Sequence, residues 1–248
     1  MKIVVCIKQV PDTTEVKLDP KTGTLIRDGI PSIINPDDKG GLEYALQLKE
    51  QYGAEVTVIT MGPPQAEAVL REAFAMGADR AILLTSRKFA GADTLATSNA
   101  LAGALRVLDY DLILAGRQAI DGGIAQVSYL EDLEFDGKKT FRIKKQLEDG
   151  YQIVEVESPC LLTCLASAVK PRYMSVKGIV EAWDKEVEIW TEEKIEVSEE
   201  KLGLKGSPTK VKKAGAKEMK AAGQVHDGLS PEEAADLIIA KLKEKYII

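Results

Sequence analysis

The chain has 248 residues, enough for one substantial core with an appendage, and its 45% hydrophobic and 29% charged residues are those of an ordinary soluble globular protein. A net charge of -6 argues against a nucleic-acid or membrane-surface role for the chain as a whole, since both need a positive footprint. Cys6, Cys160 and Cys164 are too few and too apolar in setting for a disulfide framework or a zinc site. Met1–Lys8 is too short for a secretion signal and no later run is of membrane-spanning length, so a cytoplasmic protein without membrane insertion is expected.

Ile3 to Ile7 is a β-branched run suited to a strand buried on both faces, stopped by proline in Lys8-Gln-Val-Pro11. Asp12 to Ile30 alternates around turn signals and predicts a hairpin excursion. Asn35-Pro36-Asp37-Asp38 combines a turn with a helix start, Asp37 or Asp38 capping a helix over Gly41 to Tyr52. Strands follow at Glu55–Thr60, Arg80–Leu84 and Asp111–Ala115, with helices at Gln65–Met76 and from the Asp93 cap to about Leu105. This alternation predicts a Rossmann-like α/β fold with a doubly wound, mainly parallel sheet. No Gly-x-Gly-x-x-Gly or Walker sequence is present, which sets it apart from the standard dinucleotide and P-loop versions.

Beyond Gly123, the segments Gln126–Leu130, Lys139–Leu147, Gln152–Val156 and Leu161–Leu165 read as strands joined by short turns, a mixed or antiparallel extension. Lys170 to Lys177 is a proline-led loop exposing Arg172, Tyr173 and Val176. Trp183 and Trp190 are expected to pack the region that follows. Between Lys201 and Lys220 seven lysines face one glutamate, which reads as a solvated linker rather than an anion-binding patch. Ser230-Pro-Glu-Glu233 is a capping box, and the helix after it carries Ala234, Leu237, Ile238 and Leu242 on one face. The expected organisation is a nucleotide-binding domain with strand extension over 1–198, a linker arm over 199–229 and a partner-clasping helix over 230–248.

The stretch Asp111 to Gly122 carries the chemistry. A buried strand ends at Gly116, and Arg117 then offers a planar, phosphate-matching cation, Gln118 an amide and Asp121 a carboxylate. Loops after strand C-terminal ends are where ligands bind in such sheets. A nucleotide-holding loop and a plain surface turn with a coincidental arginine account for the motif equally well. Lys8 is a weaker phosphate candidate, Cys6 has no His/Asp company that would make it a nucleophile, and the single histidine, His226, lacks metal or general-base neighbours. No catalytic or metal-binding side chain is assigned.

Several blocks resemble the beta subunits of electron transfer flavoproteins. They are Val5-x-Ile7-Lys8-Gln-Val-Pro11, Asn35-Pro36-Asp37, Ala75-Met-Gly-Ala-Asp-Arg80, Gly116-Arg-Gln-Ala-Ile-Asp121 and Pro171-Arg-Tyr173. The gapped run Ile143-x-Lys145, Glu148-Asp149-Gly150, Gln152-x-Val154, Pro159-x-Leu161-Leu162-Thr163 is similar to that family's signature in order and spacing. The resemblance implies a heterodimer with an alpha subunit that carries FAD, and a second nucleotide held by this chain. In ordinary members that nucleotide is a structural AMP. In electron-bifurcating members it is FAD, which takes hydride from NADH and divides its electrons between ferredoxin or flavodoxin and, through the alpha-subunit FAD, an acyl-CoA-type dehydrogenase or quinone-linked partner. Arg117, together with Gly122 where ordinary members carry a bulkier acidic residue, is similar to the bifurcating group.

Carried over by position, the resemblance implies nucleotide contacts from Cys6, Asn35, Pro36, Asp37, Asp38, Met61, Gly116, Arg117, Gln118, Ala119, Ile120, Asp121 and Gly122. It implies dehydrogenase docking by Pro171, Arg172, Tyr173 and Val176, with Val176 as the apolar anchor. The chain is thus expected to be an electron-transfer component with an NADH-oxidising flavin site formed in the complex. One departure stands out: Gly123-Ile-Ala-Gln-Val127 leads directly into Ser128-Tyr-Leu-Glu131, and about a dozen residues of the family pattern are absent. A connection so short is not expected to span back across a parallel sheet.

Overall fold

The computed structural model describes residues 1–12, 31–117, 124–209, 223 and 225–246. They form two compact units, Met1–Lys213 and Ala214–Ile248. In the first, in chain order, lie β1 (Lys2–Cys6), β2 (Gln9–Pro11), β3 (Ser32–Ile34), α1 (Pro36–Tyr52), β4 (Glu55–Met61), α2 (Glu67–Met76), β5 (Arg80–Leu84), α3 (Thr94–Leu105) and β6 (Leu112–Ala115). Next come β7 (Ala125–Phe135), β8 (Thr140–Leu147), β9 (Gly150–Glu157), β10 (Cys160–Cys164), α4 (Val176–Glu181), β11 (Val187–Trp190) and α5 (Gly203–Gly206). The second unit contributes α6 (Pro231–Glu244).

Nine strands form one sheet in the order β11-β5-β4-β1-β6-β10-β7-β8-β9. The seven from β11 to β7 are parallel and the β7-β8-β9 pairs antiparallel. This is the expected Rossmann-like α/β architecture with a mixed extension. The chain leaves β1 toward β4 and β5 on one side, then returns to β6 on the other, so the winding reverses at β1. Apolar residues cover both faces: Val5, Val58 and Leu114 pack in the core with α1 and α2, whereas Val4, Ile59 and Ile82 pack with Ala100 and Ala104 of α3. Two-sided burial is why these strands read as unbroken apolar runs.

Four expectations are corrected. The segment around Leu161 belongs to the parallel core, because β10 inserts between β6 and β7 instead of extending the hairpins. Helix α1 begins a turn earlier than expected: Pro36 occupies its first turn and Asn35, not Asp37 or Asp38, is the cap, its Oδ1 accepting from Asp37 N at 2.9 Å. Residues 116–124 do join two parallel strands that flank β10. Nine residues reach at most about 30 Å, which suffices to return along a four-residue strand and cross two spacings of about 4.8 Å. Trp183 is 72% exposed, whereas Trp190 is buried in one cluster with Ile195 and Leu202 of the region that follows and with Ala100 and Ala104 of α3.

Strand β7 serves two partners through a bulge. Tyr129 adopts a left-handed φ of 64°, the register shifts between Leu130 and Asp132, and Thr163 Oγ1 accepts the Tyr129 N–H at 3.1 Å. Strand β2 pairs antiparallel with β3, closing the base of the predicted hairpin excursion, whose residues 13–30 lie outside the described ones. Residues 199–209, assigned to the arm from sequence, include Leu202, buried beside α3, and the buried Ser207. Within the second unit, the Ser230 capping box is formed as expected and α6 keeps Ile238 59% exposed. Among the described residues no helix is long and apolar enough to cross a membrane.

Candidate functional site

In a doubly wound sheet the crevice opens outside the strand C-terminal ends where the winding reverses. Here that point lies between β1 and β6, and a cavity of about 2020 Å³ opens there. Cys6, Asn35, Asp37, Asp38, Met61, Gly116 and Arg117 all line it, brought together from four strand ends and the first turn of α1. Pro36 does not line it; it serves α1 as a first-turn residue. Gln118, Ala119, Ile120, Asp121 and Gly122 lie outside the described residues.

The first turn of α1 ties the strand ends together. Asn35 N donates to Lys8 O at 2.9 Å, after β1. Asp38 Oδ2 accepts Lys8 N at 2.7 Å, and its carboxyl also accepts the Gly116 N–H after β6. Asp37 Oδ1 accepts Ala166 N at 2.7 Å, after β10. Asp38 is 8% exposed, and burial pushes its carboxyl up to about 7, the neighbouring Asp37 adding to the rise against the two backbone donors and Lys8. A Cβ on Gly116 would stand 2.2 Å from Asp38 Oδ1, so the glycine at this strand end is required by the carboxyl behind it.

Cations face the cleft from the same end. The Arg117 side chain is 57% exposed, with Nε 3.6 Å from Asp37 Oδ2, and Lys8 is exposed on the wall. Cys6 is a small packing group: burial, helped by Asp38, pushes its thiol up to about 12, far from a reactive thiolate. His226 is exposed in the second unit, and no group of metal-holding side chains occurs among the described residues.

Sequence reasoning missed the other half of the wall. Ser86, Thr94, Thr97 and Ser98 put hydroxyls on it, with Leu101 and Leu105 continuing the face. The available signal was hydroxyls at i, i+3 and i+4 behind the Asp93 cap in an otherwise Ala/Leu helix, a spacing that aims them one way.

A separate surface holds the expected docking residues, none of which lines the cavity. Tyr173 is 89% and Val176 82% exposed, and Met174, Ile179, Val180 and Trp183 extend the apolar patch along and beyond α4. Gly178 seats α4 against α2, where a Cβ would come 2.3 Å from Ala75 O. Pro171 is half-buried, and Arg172, expected to be exposed, is not: its side chain is only partly accessible because the guanidinium turns inward onto Glu43 and Glu50.

The reversed winding, the strand-end cleft and its helix-anchored floor define a Rossmann-like α/β protein with an open cleft at the switch point. Comparison with known proteins makes the class specific. The chain belongs to the electron transfer flavoprotein family, as a beta subunit: the family model described as electron transfer flavoprotein domain matches residues 22–195. It is 57% identical to the electron transfer flavoprotein subunit beta of Clostridium acetobutylicum, 51% to the caffeyl-CoA reductase-Etf complex subunit CarD of Acetobacterium woodii, and 42% to the acryloyl-CoA reductase electron transfer subunit gamma of Anaerotignum propionicum. Each comparison covers 100% of both chains. The alignment to the Clostridium protein spans 261 positions against the 248 residues here, so at least 13 of them face a gap in this chain.

Proposed function

We propose that this chain, paired with an alpha subunit that carries its own FAD, holds a second FAD in the switch-point cleft, where the group would supply acceptance of hydride from NADH. So loaded, the complex would serve ferredoxin or flavodoxin and, through the alpha-subunit flavin, an acyl-CoA-type dehydrogenase. The observation that carries this reading is the extent of the cleft. At about 2020 Å³ it runs from the ends of β1 and β6 to the hydroxyls of α3, beyond the roughly 300–1,000 Å³ of most small-ligand pockets. The donor set fits the group: Lys8 and Arg117 supply cations for phosphates, Thr94 and Thr97 supply hydroxyls, and Leu101, Ile113 and Leu161 supply apolar wall for a ring system.

Bound FAD supplies the hydride and single-electron chemistry, which no side chain here could perform. The chain's own residues bind and orient. Asp38 fixes the ends of β1 and β6 and so the spacing of the cleft's floor, and Arg117 would bring positive charge to the phosphates of a bound nucleotide. The free thiols suit a cytoplasmic setting. The relatives named for caffeyl-CoA and acryloyl-CoA reductases support an acyl-CoA-type partner. Nucleotide analysis of the purified heterodimer tests the reading. Two FAD and no AMP is expected, whereas one FAD and one AMP without reduction by NADH refutes it and leaves a structural AMP site.

A further inference from the structure

The exposed patch at Tyr173–Trp183 follows directly on Arg172, whose side chain is only 28% exposed and points away from solvent. Its backbone N–H donates to Glu43 Oε2 at 3.0 Å, Nε to the same oxygen at 2.9 Å and Nη2 to Glu43 Oε1 at 3.0 Å. Nη1 and Nη2 also donate to the two carboxylate oxygens of Glu50. One guanidinium therefore bridges two carboxylates placed two turns apart on α1. Burial raises the Glu43 carboxyl, but the Arg172 hydrogen bonds outweigh it and hold the group below the usual range, so it stays ionised for its partner. The segment from β10 to Arg172 lies along the same helix: Gly40 packs under Leu165 O, and Tyr44 OH donates to Ala168 O at 3.4 Å and Glu131 O at 2.8 Å.

We propose that Arg172 is the positioning residue of the docking surface: by clamping Glu43 and Glu50 it locks Tyr173, Met174 and Val176 onto α1, the helix whose first turn floors the cleft. This rests on the reading of the patch as the surface that meets an acyl-CoA-type dehydrogenase. Partly buried ion pairs contribute little net stability, and geometric definition is what they supply best. A surface ordered in advance spares its partner the entropy of fixing rotamer-rich side chains on binding. Lysine cannot replace the clamp, since a point charge does not grip two carboxylates in a fixed plane.

The test uses the heterodimer reduced by NADH and an acyl-CoA dehydrogenase purified from Clostridium acetobutylicum as probe. Arg172→Gln is expected to raise KM for the dehydrogenase at least tenfold while kcat at saturation stays within twofold, with Arg172→Lys intermediate. Amide hydrogen exchange over 173–183 should accelerate in the same order. An unchanged KM with Arg172→Gln overturns the proposal. Val176→Asp separates the two readings: if it raises KM and Arg172→Gln does not, the clamp alone fails, and if it has no effect, the docking reading falls and the clamp's role with it. Should Arg172→Gln not assemble, Glu50→Gln decides, because Glu50 is 64% exposed and its loss opens only the outer half of the clamp. A rise of about threefold in KM supports the proposal and no change overturns it.

Discussion

Gly116→Ala puts the proposed architecture of the cleft to a test whose sign is informative. Gly116 is not among the residues with positive φ, so on backbone grounds alone alanine should stabilise the protein by about 0.4–1 kcal/mol through the unfolded chain. The structure demands the opposite. The new methyl would lie 2.2 Å from Asp38 Oδ1 and 3.3 Å from Asp37 Cβ, and the carboxyl cannot swing aside while it accepts the N–H groups of Lys8 and Gly116. Breaking one such bond to a carboxyl costs about 1.5–3 kcal/mol. In a chain of this size each kcal/mol moves Tm by roughly 2–4 °C, so a fall of about 3–12 °C is expected. Calorimetry of the heterodimer, with nucleotide content measured on the same samples, reads both stability and site. The pair also makes a double-mutant cycle: against Asp38→Ala the methyl meets no carboxyl, and the cost of Gly116→Ala should drop by about 1–3 kcal/mol. A Tm at or above wild type with full nucleotide content, or an equal loss in both backgrounds, would refute the reasoning.

Three further outcomes are expected. Because burial holds the Asp38 carboxyl near 7, above its ordinary 3.8, the folded state binds its proton more tightly than the unfolded chain. That contribution to stability is therefore full below about pH 4, lost as pH rises toward 7 and flat above, by an amount of order 4 kcal/mol. Asp38→Asn should flatten this part of a Tm-against-pH curve, and a curve unchanged by the substitution would contradict it. Gly178→Ala should lift α4 from Ala75 O and speed hydrogen exchange over 176–183 before any change in the parallel core; unchanged exchange would show that α4 does not depend on this contact. Leu237→Asp with Leu242→Asp should weaken assembly with the alpha subunit by several kcal/mol, at roughly 1.5–3 kcal/mol per buried leucine, and sedimentation showing intact heterodimer would rule out α6 as a clasp.

The parallel core was legible because its strands are buried on both faces: Ile3–Ile7, Glu55–Thr60, Arg80–Leu84 and Asp111–Ala115 announce themselves as apolar runs. The Asp93 and Ser230 caps were legible for an equally local reason, a side-chain oxygen three residues ahead of an N–H. What escaped depends on distant partners. Strand β10 carries the same apolar signature, but the turns before it suggested a hairpin, and insertion between β6 and β7 leaves no local trace. Strand β11 interleaves Glu188 with buried Val187 and Trp190, and Glu188 is drawn in by Arg80, 108 residues away. Glu43 reads as a surface residue of an amphipathic helix. Its partner Arg172 is 129 positions on, and only the folded chain makes that carboxylate an internal one.

The seat at the start of α1 has a consequence for handling the protein. In many nucleotide-binding folds the positive end of the first helix cradles a phosphate through backbone N–H groups. Here Asn35 caps that end with its own Oδ1 and Asp37 and Asp38 place negative charge in its first turn, so on the reading proposed above an anion entering the cleft draws on side-chain cations, Lys8 and Arg117 among them, that are open to water. Exposed charges are screened over a Debye length of about 8 Å at physiological ionic strength and about 3 Å in 1 M salt. Retention of the nucleotide is then a function of ionic strength, and a preparation washed in concentrated salt will emerge with less of it than one kept dilute.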